Sequence, residues 1–354
     1  MKLASEPKLI AVRSPDKQPS KAPARRLWLR LLLVALGAGL GLLACELWAR
    51  SRYGTPEPER LPLLRVQANP FRGWEMVPSR DHYTYLEQVR VNELGLRGAE
   101  VGAKRAGERR ILCLGDSLIY GQGVGESETL PAALEAALPA DSGTVVINGG
   151  LRAYATHQEL GLLEELGDRV EPDLVLLCWY WNDVEERDIE ETRGRLEQSG
   201  PIVFDVSRPW SVARRVKWHA KQMARRSALL NHLHERIRTE PWKAWSEEFR
   251  AAGLSRLEGY LDLFEARCAE LGAEFRVVLL PDLDGIMGGD VSRDLSNRGA
   301  ALFEARDFPF LDLRPALNAW IDEHRRIPIL PFDGHFNGEG NRLFGRAIAD
   351  WLTE

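Results

Sequence analysis

The sequence predicts a three-layer α/β/α domain on a five-stranded parallel sheet, preceded by one transmembrane helix. Three observations predict it. From Arg110 onward, short apolar runs recur without polar alternation, the mark of strands buried on both faces. Helical patterns separate these runs, as in α/β folds with helices on both sides of a sheet. Near the amino end, residues 27–48 form one apolar segment of membrane-spanning length. The chain has 354 residues, 44% of them hydrophobic and 28% charged, enough apolar material for one large core with appendages.

Residues 1–26 carry Lys2, Lys8, Arg13, Lys17, Lys21, Arg25 and Arg26 against Glu6 and Asp16. They show no apolar period and read as a disordered basic tail. As a helix, 27–48 would be about 33 Å long, against a bilayer core of about 30 Å. Only Arg30 and Glu46 interrupt it, and both lie near its ends. Trp28 and Trp48 suit the membrane interfaces. The basic excess before the span puts the amino end in the cytoplasm and everything after residue 50 outside the membrane. Three other readings compete. A cleaved signal peptide lacks a small-x-small site before a polar start. Leu42-Leu43-Ala44-Cys45 resembles a lipobox, which would make a lipoprotein anchored at Cys45. The third is a buried core helix.

Pro56, Pro58 and Pro62 mark 49–64 as a linker. Residues 65–105 form a small strand-rich segment packed on the main domain, with strands at 83–85 and 89–91 and a turn at Asn92-Glu93-Leu94-Gly95. The main domain covers 106–354. Its strands are expected at 110–114, 145–148, 174–180, 274–280 and 308–313. Helices are expected at 129–137, 157–166 and 341–352. A helical insertion is expected at about 211–271. Its first part, 211–238, is strongly basic and carries Trp218. It reads as a solvated helix face, as a surface lying on anionic headgroups, or as a lid.

Several classes are excluded. A net charge of −5 gives no global affinity for nucleic acid. Four widely spaced cysteines form neither a disulfide framework nor a zinc pattern. No phosphate-binding Gly-x-x-x-x-Gly-Lys and no Gly-x-Ser-x-Gly elbow is present.

Four polar blocks carry the chemistry: Gly115-Asp116-Ser117, Asn148-Gly149-Gly150, Trp181-Asn182-Asp183, and Asp333-Gly334-His335-Phe336-Asn337. The first three follow expected strands and the fourth precedes the last helix, so all converge on the carboxyl edge of a parallel sheet. A serine hydroxyl needs a base to become a nucleophile, histidine is the usual base near neutral pH, and a carboxylate fixes its tautomer. A tetrahedral intermediate needs donors aimed at its oxyanion. The amides of Ser117 and Gly150 and the side chain of Asn182 are candidates. Taken one at a time, the blocks have plainer readings: Asp116 as a helix cap, Asn182 and Asp183 as turn residues, His335 as a loop histidine.

Together the blocks resemble the SGNH (GDSL-type) hydrolase family in its membrane-anchored bacterial form, over about residues 88–354. Ser117, Gly150, Asn182 and His335 match its four named residues. Val91-Asn92-Glu93-Leu94-Gly95-Leu96-Arg97-Gly98 resembles a segment found upstream of the serine in such members. The resemblance implies a flavodoxin-like sheet and no cofactor. It also implies ester hydrolysis through an acyl-enzyme on Ser117, with His335 as base and then acid. Asp116, Asp183 and Asn337 would support the site. Asp333 stands two residues before the histidine where many members place the acid three before. Leu151-Arg152-Ala153-Tyr154 stands where a further glycine is common. Arg152 reads either as a pocket-mouth cation favouring anionic or sugar-linked substrates, or as an exposed loop arginine. The expected substrates are O-acetylated envelope glycan or small acyl and lipid esters. A polysaccharide O-acetyltransferase and a non-catalytic glycan-binding or envelope-assembly protein are the alternatives.

Overall fold

A computed structural model describes residues 22–199, 202–203, 212–237, 244–286, 289–306 and 308–354. Two compact units divide the chain after Arg52. The first is a single helix, Ala22–Tyr53, which continues one residue into the second unit. Residues 27–53 of it are long and apolar enough to cross a membrane, compatible with an anchor or a signal sequence. The tail expected over 1–26 lies outside the described residues up to position 21, and 22–26 are helical.

The second unit, Tyr53–Glu354, contains strands β1 (Arg65–Asn69), β2 (Gly73–Met76), β3 (His82–Thr84), β4 (Glu87–Val89), β5 (Arg109–Gly115), β6 (Thr144–Gly150), β7 (Leu174–Trp179), β8 (Ile202–Val203), β9 (Glu274–Leu279) and β10 (Phe310–Asp312). Five of them form one parallel sheet in the order β10-β9-β7-β5-β6. Every residue of β7 is buried, which is why it reads as an unbroken apolar run. Helices Thr156–Val170, Glu247–Leu271 and Asp290–Glu304 cover one face; Leu130–Ala137, Arg314–His324 and Gly338–Thr353 cover the other. Caps set the helix ends: the Thr129 hydroxyl accepts from the Ala132 amide, and Gly272 ends Glu247–Leu271 at φ 68°.

The stretch 211–271 divides. Val212–Arg225 and Ala228–Ile237 are short helices, and residues 211 and 238 lie outside the described residues. Glu247–Leu271 instead buries Leu257, Leu261 and Phe264 in the main core, so it is a covering helix of the sheet.

Residues 65–105 supply an antiparallel pair β1–β2, extended by β8, and the hairpin β3–β4. The Asn92–Gly95 turn forms, with the Gly95 amide donating to the Asn92 carbonyl at 3.0 Å and Gly95 at φ 73°. His82, fully buried in β3, shares a 2.8 Å hydrogen bond with the Tyr120 hydroxyl. Burial, chiefly, lowers the His82 pKa to about 4, so its ring is neutral at pH 7. The unfolded chain then binds the extra proton between about pH 6.5 and pH 4. Stability from this group is complete above pH 6.5 and is lost as pH falls toward 4, by up to about 3 kcal/mol. Urea unfolding at pH 7 and pH 4.5 should show that slope, and His82→Gln should flatten it.

Candidate active site

Parallel registration fixes where the polar blocks stand. Gly115 pairs with Gly150, and Leu114 with Leu177, so β5, β6 and β7 end at one edge. Asp116 caps the helix Ser117–Tyr120 by accepting from the Leu118 amide at 2.8 Å. The serine therefore opens a helix directly above the sheet, with its amide among the unpaired first-turn donors.

The His335 ring nitrogen Nε2 lies 2.7 Å from Ser117 Oγ. Its Nδ1 faces Asp333 Oδ1, and that same oxygen accepts the His335 amide at 3.0 Å. The second oxygen of Asp333 accepts from the Tyr85 hydroxyl and, at 3.2 Å, from Gln122 Nε2. Burial alone would raise the Asp333 carboxyl, but the facing imidazole and these donors outweigh it and hold Asp333 well below the usual carboxylate range. Burial and the Asp333 charge push the Tyr85 phenol up, so it remains a donor. Asn337 caps the helix Gly338–Thr353 through 3.0 and 3.1 Å bonds from the Glu339 and Gly340 amides, which anchors the loop holding Asp333 and His335.

Asn182 lies on the turn Trp181–Val184. Asp183 holds that turn by accepting from the Tyr180 amide at 2.7 Å. Asp116 accepts a hydrogen bond from the Asn182 side chain. Behind them Asp116, Asp183 and Glu159 are all buried, at 2%, 2% and 0% exposure. Burial pushes each carboxyl up, and their proximity adds to the rise in Glu159 and Asp183. Glu159 was not among the sequence candidates; its place in an apolar helix face hid it.

A cavity of about 250 Å³ opens on Ser117, His335 and Asn182 and is lined also by Gln122, Arg152, Ala153 and Arg187. Arg187 is paired with Glu185 at 2.6 Å. Gly150 is a correction to the sequence reading. Its amide donates to Asn148 Oδ1 at 2.9 Å and it does not line the cavity, so it is not a donor to the pocket. Its role is contact: a Cβ there would meet the Tyr120 nitrogen and stand 2.5 Å from the Ile119 carbonyl carbon. Gly150→Ala should cost about 1–3 kcal/mol by overpacking, displace the serine helix and depress hydrolysis, which chemical denaturation and ester turnover would register together.

The residue that does reach the cavity is Ala153, at φ 63°, a conformation costing an L-residue about 1–2 kcal/mol. Among the described residues its amide has no acceptor. Arg97, 3% exposed, has no signal of its own in the sequence beyond its place in the segment 91–98. Its guanidinium donates to the carbonyls of Tyr120, Gly121 and Val124 at 2.7–2.8 Å and fixes the chain leaving the serine helix. Tyr85, Gln122 and Arg97 are scattered in sequence, so no spacing announces them.

The family profile of the GDSL-like lipase/acylhydrolase family matches residues 113–343, more than half the chain and all four blocks. The chain belongs to the GDSL-like lipase/acylhydrolase family. As a member of it, the protein is a carboxylic ester hydrolase. No curated protein sequence matches the chain. Among solved structures it is similar to a lipolytic G-D-S-L protein from Veillonella parvula (14% identity, 70% of this chain and 99% of the other, TM-score 0.43). It is also similar to the psychrotrophic esterase EstA from Pseudoalteromonas sp. (15%, 70% and 100%, TM-score 0.40). A GDSL-like lipase from Bacteroides thetaiotaomicron is a third (14%, 71% and 91%, TM-score 0.39). At such values no property of those GDSL proteins transfers to this one.

Proposed function

We propose that the protein is a serine esterase working outside the membrane, tethered by residues 27–48 as a single-pass anchor. The observation that carries this reading is the hydrogen-bonded series Ser117–His335–Asp333 on the wall of a cavity. Ser117 Oγ attacks the ester carbonyl while His335 Nε2 takes its proton. The tetrahedral oxyanion meets the amides of Ser117 and Ala153 and the second N–H of Asn182, the first being held by Asp116. Collapse breaks the acyl–oxygen bond, and the alcohol leaves with the proton from His335. Water then attacks the acyl-enzyme by the same route in reverse. Asp333 orients the ring and stabilises the imidazolium. Asp116, Asp183 and Asn337 hold the groups in place.

Arg152 lines the cavity with Asp116, Glu185 and Arg187, Glu185 is paired with Arg187, and Arg152 forms no ion pair among the described residues, which supports anionic or sugar-linked esters as substrates: O-acetylated envelope glycan, or small acyl and lipid esters. The basic stretch 211–238 would face the same membrane. The test is release of acetate from acetylated polysaccharide beside hydrolysis of p-nitrophenyl acetate and octanoate. Turnover of these esters supports the reading; diversion of acetyl to an added sugar instead of water would replace it with acetyl transfer. Asn182→Ala should lower kcat by about 10²–10³-fold with KM little changed, because the donor acts on the oxyanion; steady-state kinetics check this.

A further inference from the structure

Helices Val212–Arg225 and Ala228–Ile237 present aliphatic side chains to solvent. Val212 is 79% exposed, Met223 74% and Ile237 79%, and Val216, Leu230 and Leu233 are exposed as well. In each helix these positions share a face, at steps of three, four or seven residues. An apolar stripe of this kind marks a surface that meets something other than water. The charge around it is one-sided: 212–237 contains seven Lys and Arg, Lys217 and Lys221 among them, and one acid, Glu235.

The two helices are fastened to the residues that follow the apolar segment. The Tyr53 ring stacks on His232 at 4.4 Å between centroids. The Glu59 amide donates to Gln222 Oε1 at 3.2 Å, Gln222 Nε2 donates back to Glu59 at 3.0 Å, and Arg225 pairs with Glu59 as well. Tyr53 also lies 6.1 Å from the Phe332 ring, and a Cβ on Gly54 would stand 2.7 Å from Pro331 Cγ. The two helices and the loop carrying Asp333 thus meet at residues 53–59, which follow the proposed anchor in the chain.

We propose that these two helices lie on the surface of an anionic bilayer, as a second contact beside the anchor, and that the site draws its ester from that surface. The inference rests on the anchor and esterase readings above. Apolar side chains enter between the headgroups while the flanking lysines meet lipid phosphates. A second copy of the chain is the poorer occupant, because it would set this basic surface against an equally basic one.

The test uses the full chain in nanodiscs of phosphatidylcholine alone or mixed with phosphatidylglycerol. An environment-sensitive fluorophore is placed at Met223→Cys, or at Asp141→Cys as a control, with Cys45→Ser in both. A blue shift at position 223 in anionic discs only, and none at 141, is the expected result. Lys217→Glu with Lys221→Glu should abolish that shift. It should lower hydrolysis of a disc-borne long-chain acylglycerol about fivefold or more and leave soluble p-nitrophenyl acetate turnover within about twofold. Equal emission in all discs overturns the docking, as does a shift that follows protein concentration instead of lipid charge, which would mean self-association. Loss of the soluble-ester activity in the wild type would strike the esterase reading alone, since the fluorescence does not depend on it.

Discussion

Ser117→Ala should lower kcat for p-nitrophenyl acetate by about 10⁴-fold or more, with the unfolding midpoint nearly unchanged. The expectation follows from position. Ser117 is the hydroxyl within 2.7 Å of His335 Nε2, and its removal leaves the oxyanion donors and the cavity but no group to form an acyl bond. The substitution deletes one oxygen from the first turn of a helix whose cap, Asp116 to the Leu118 amide, is untouched. Retention of more than a tenth of the activity in a folded variant would mean that another group attacks the ester.

Asp333→Asn should cost about 10³–10⁴-fold in kcat. The carboxylate now accepts from the His335 backbone, faces its Nδ1, and accepts from Tyr85 and Gln122. An amide cannot accept at all of these points. Its NH₂ group must face either a donor or the imidazole, which selects the tautomer with the wrong nitrogen bare. Tyr85→Phe removes one donor and leaves the charge, so its loss should be far smaller, about tenfold. Because Asp333 is held below the usual carboxylate range, it stays ionised throughout neutral and mildly acid pH, and Tyr85→Phe should not owe its loss to a moved Asp333 titration. Stopped assays from pH 5 to 9 on both variants would show whether the order of effects holds.

Ser117 was legible in the sequence because it follows an apolar strand, and Asp333 because its block resembles that of the SGNH family. The central strands were legible for a different reason: β7 is buried throughout and apolar at every position, and β5 is buried and apolar from Ile111 onward. Helix Asp290–Glu304 was not, because it buries Ser292, Ser296, Gly299 and Ala300, small residues that leave no hydrophobic period. Helix Ile189–Ser199 is mostly polar, with five charged residues in eleven and Leu196 as its buried side chain. Edge strand β10 is only half-buried, and its ends were overestimated. In the site, glycine chemistry misled. Gly150 looked like the close-approach residue and is one, but toward the serine helix. The left-handed backbone at the cavity belongs to Ala153, a residue type that gives no signal of positive φ.

The central claim is that Ser117 becomes acylated by way of His335. The most direct measurement is labelling of the full chain with a fluorophosphonate, followed by peptide mass mapping. One phosphonyl group per chain on Ser117, lost in His335→Ala, is the predicted result. An adduct on another residue, or no adduct from a preparation that still hydrolyses esters, would contradict it.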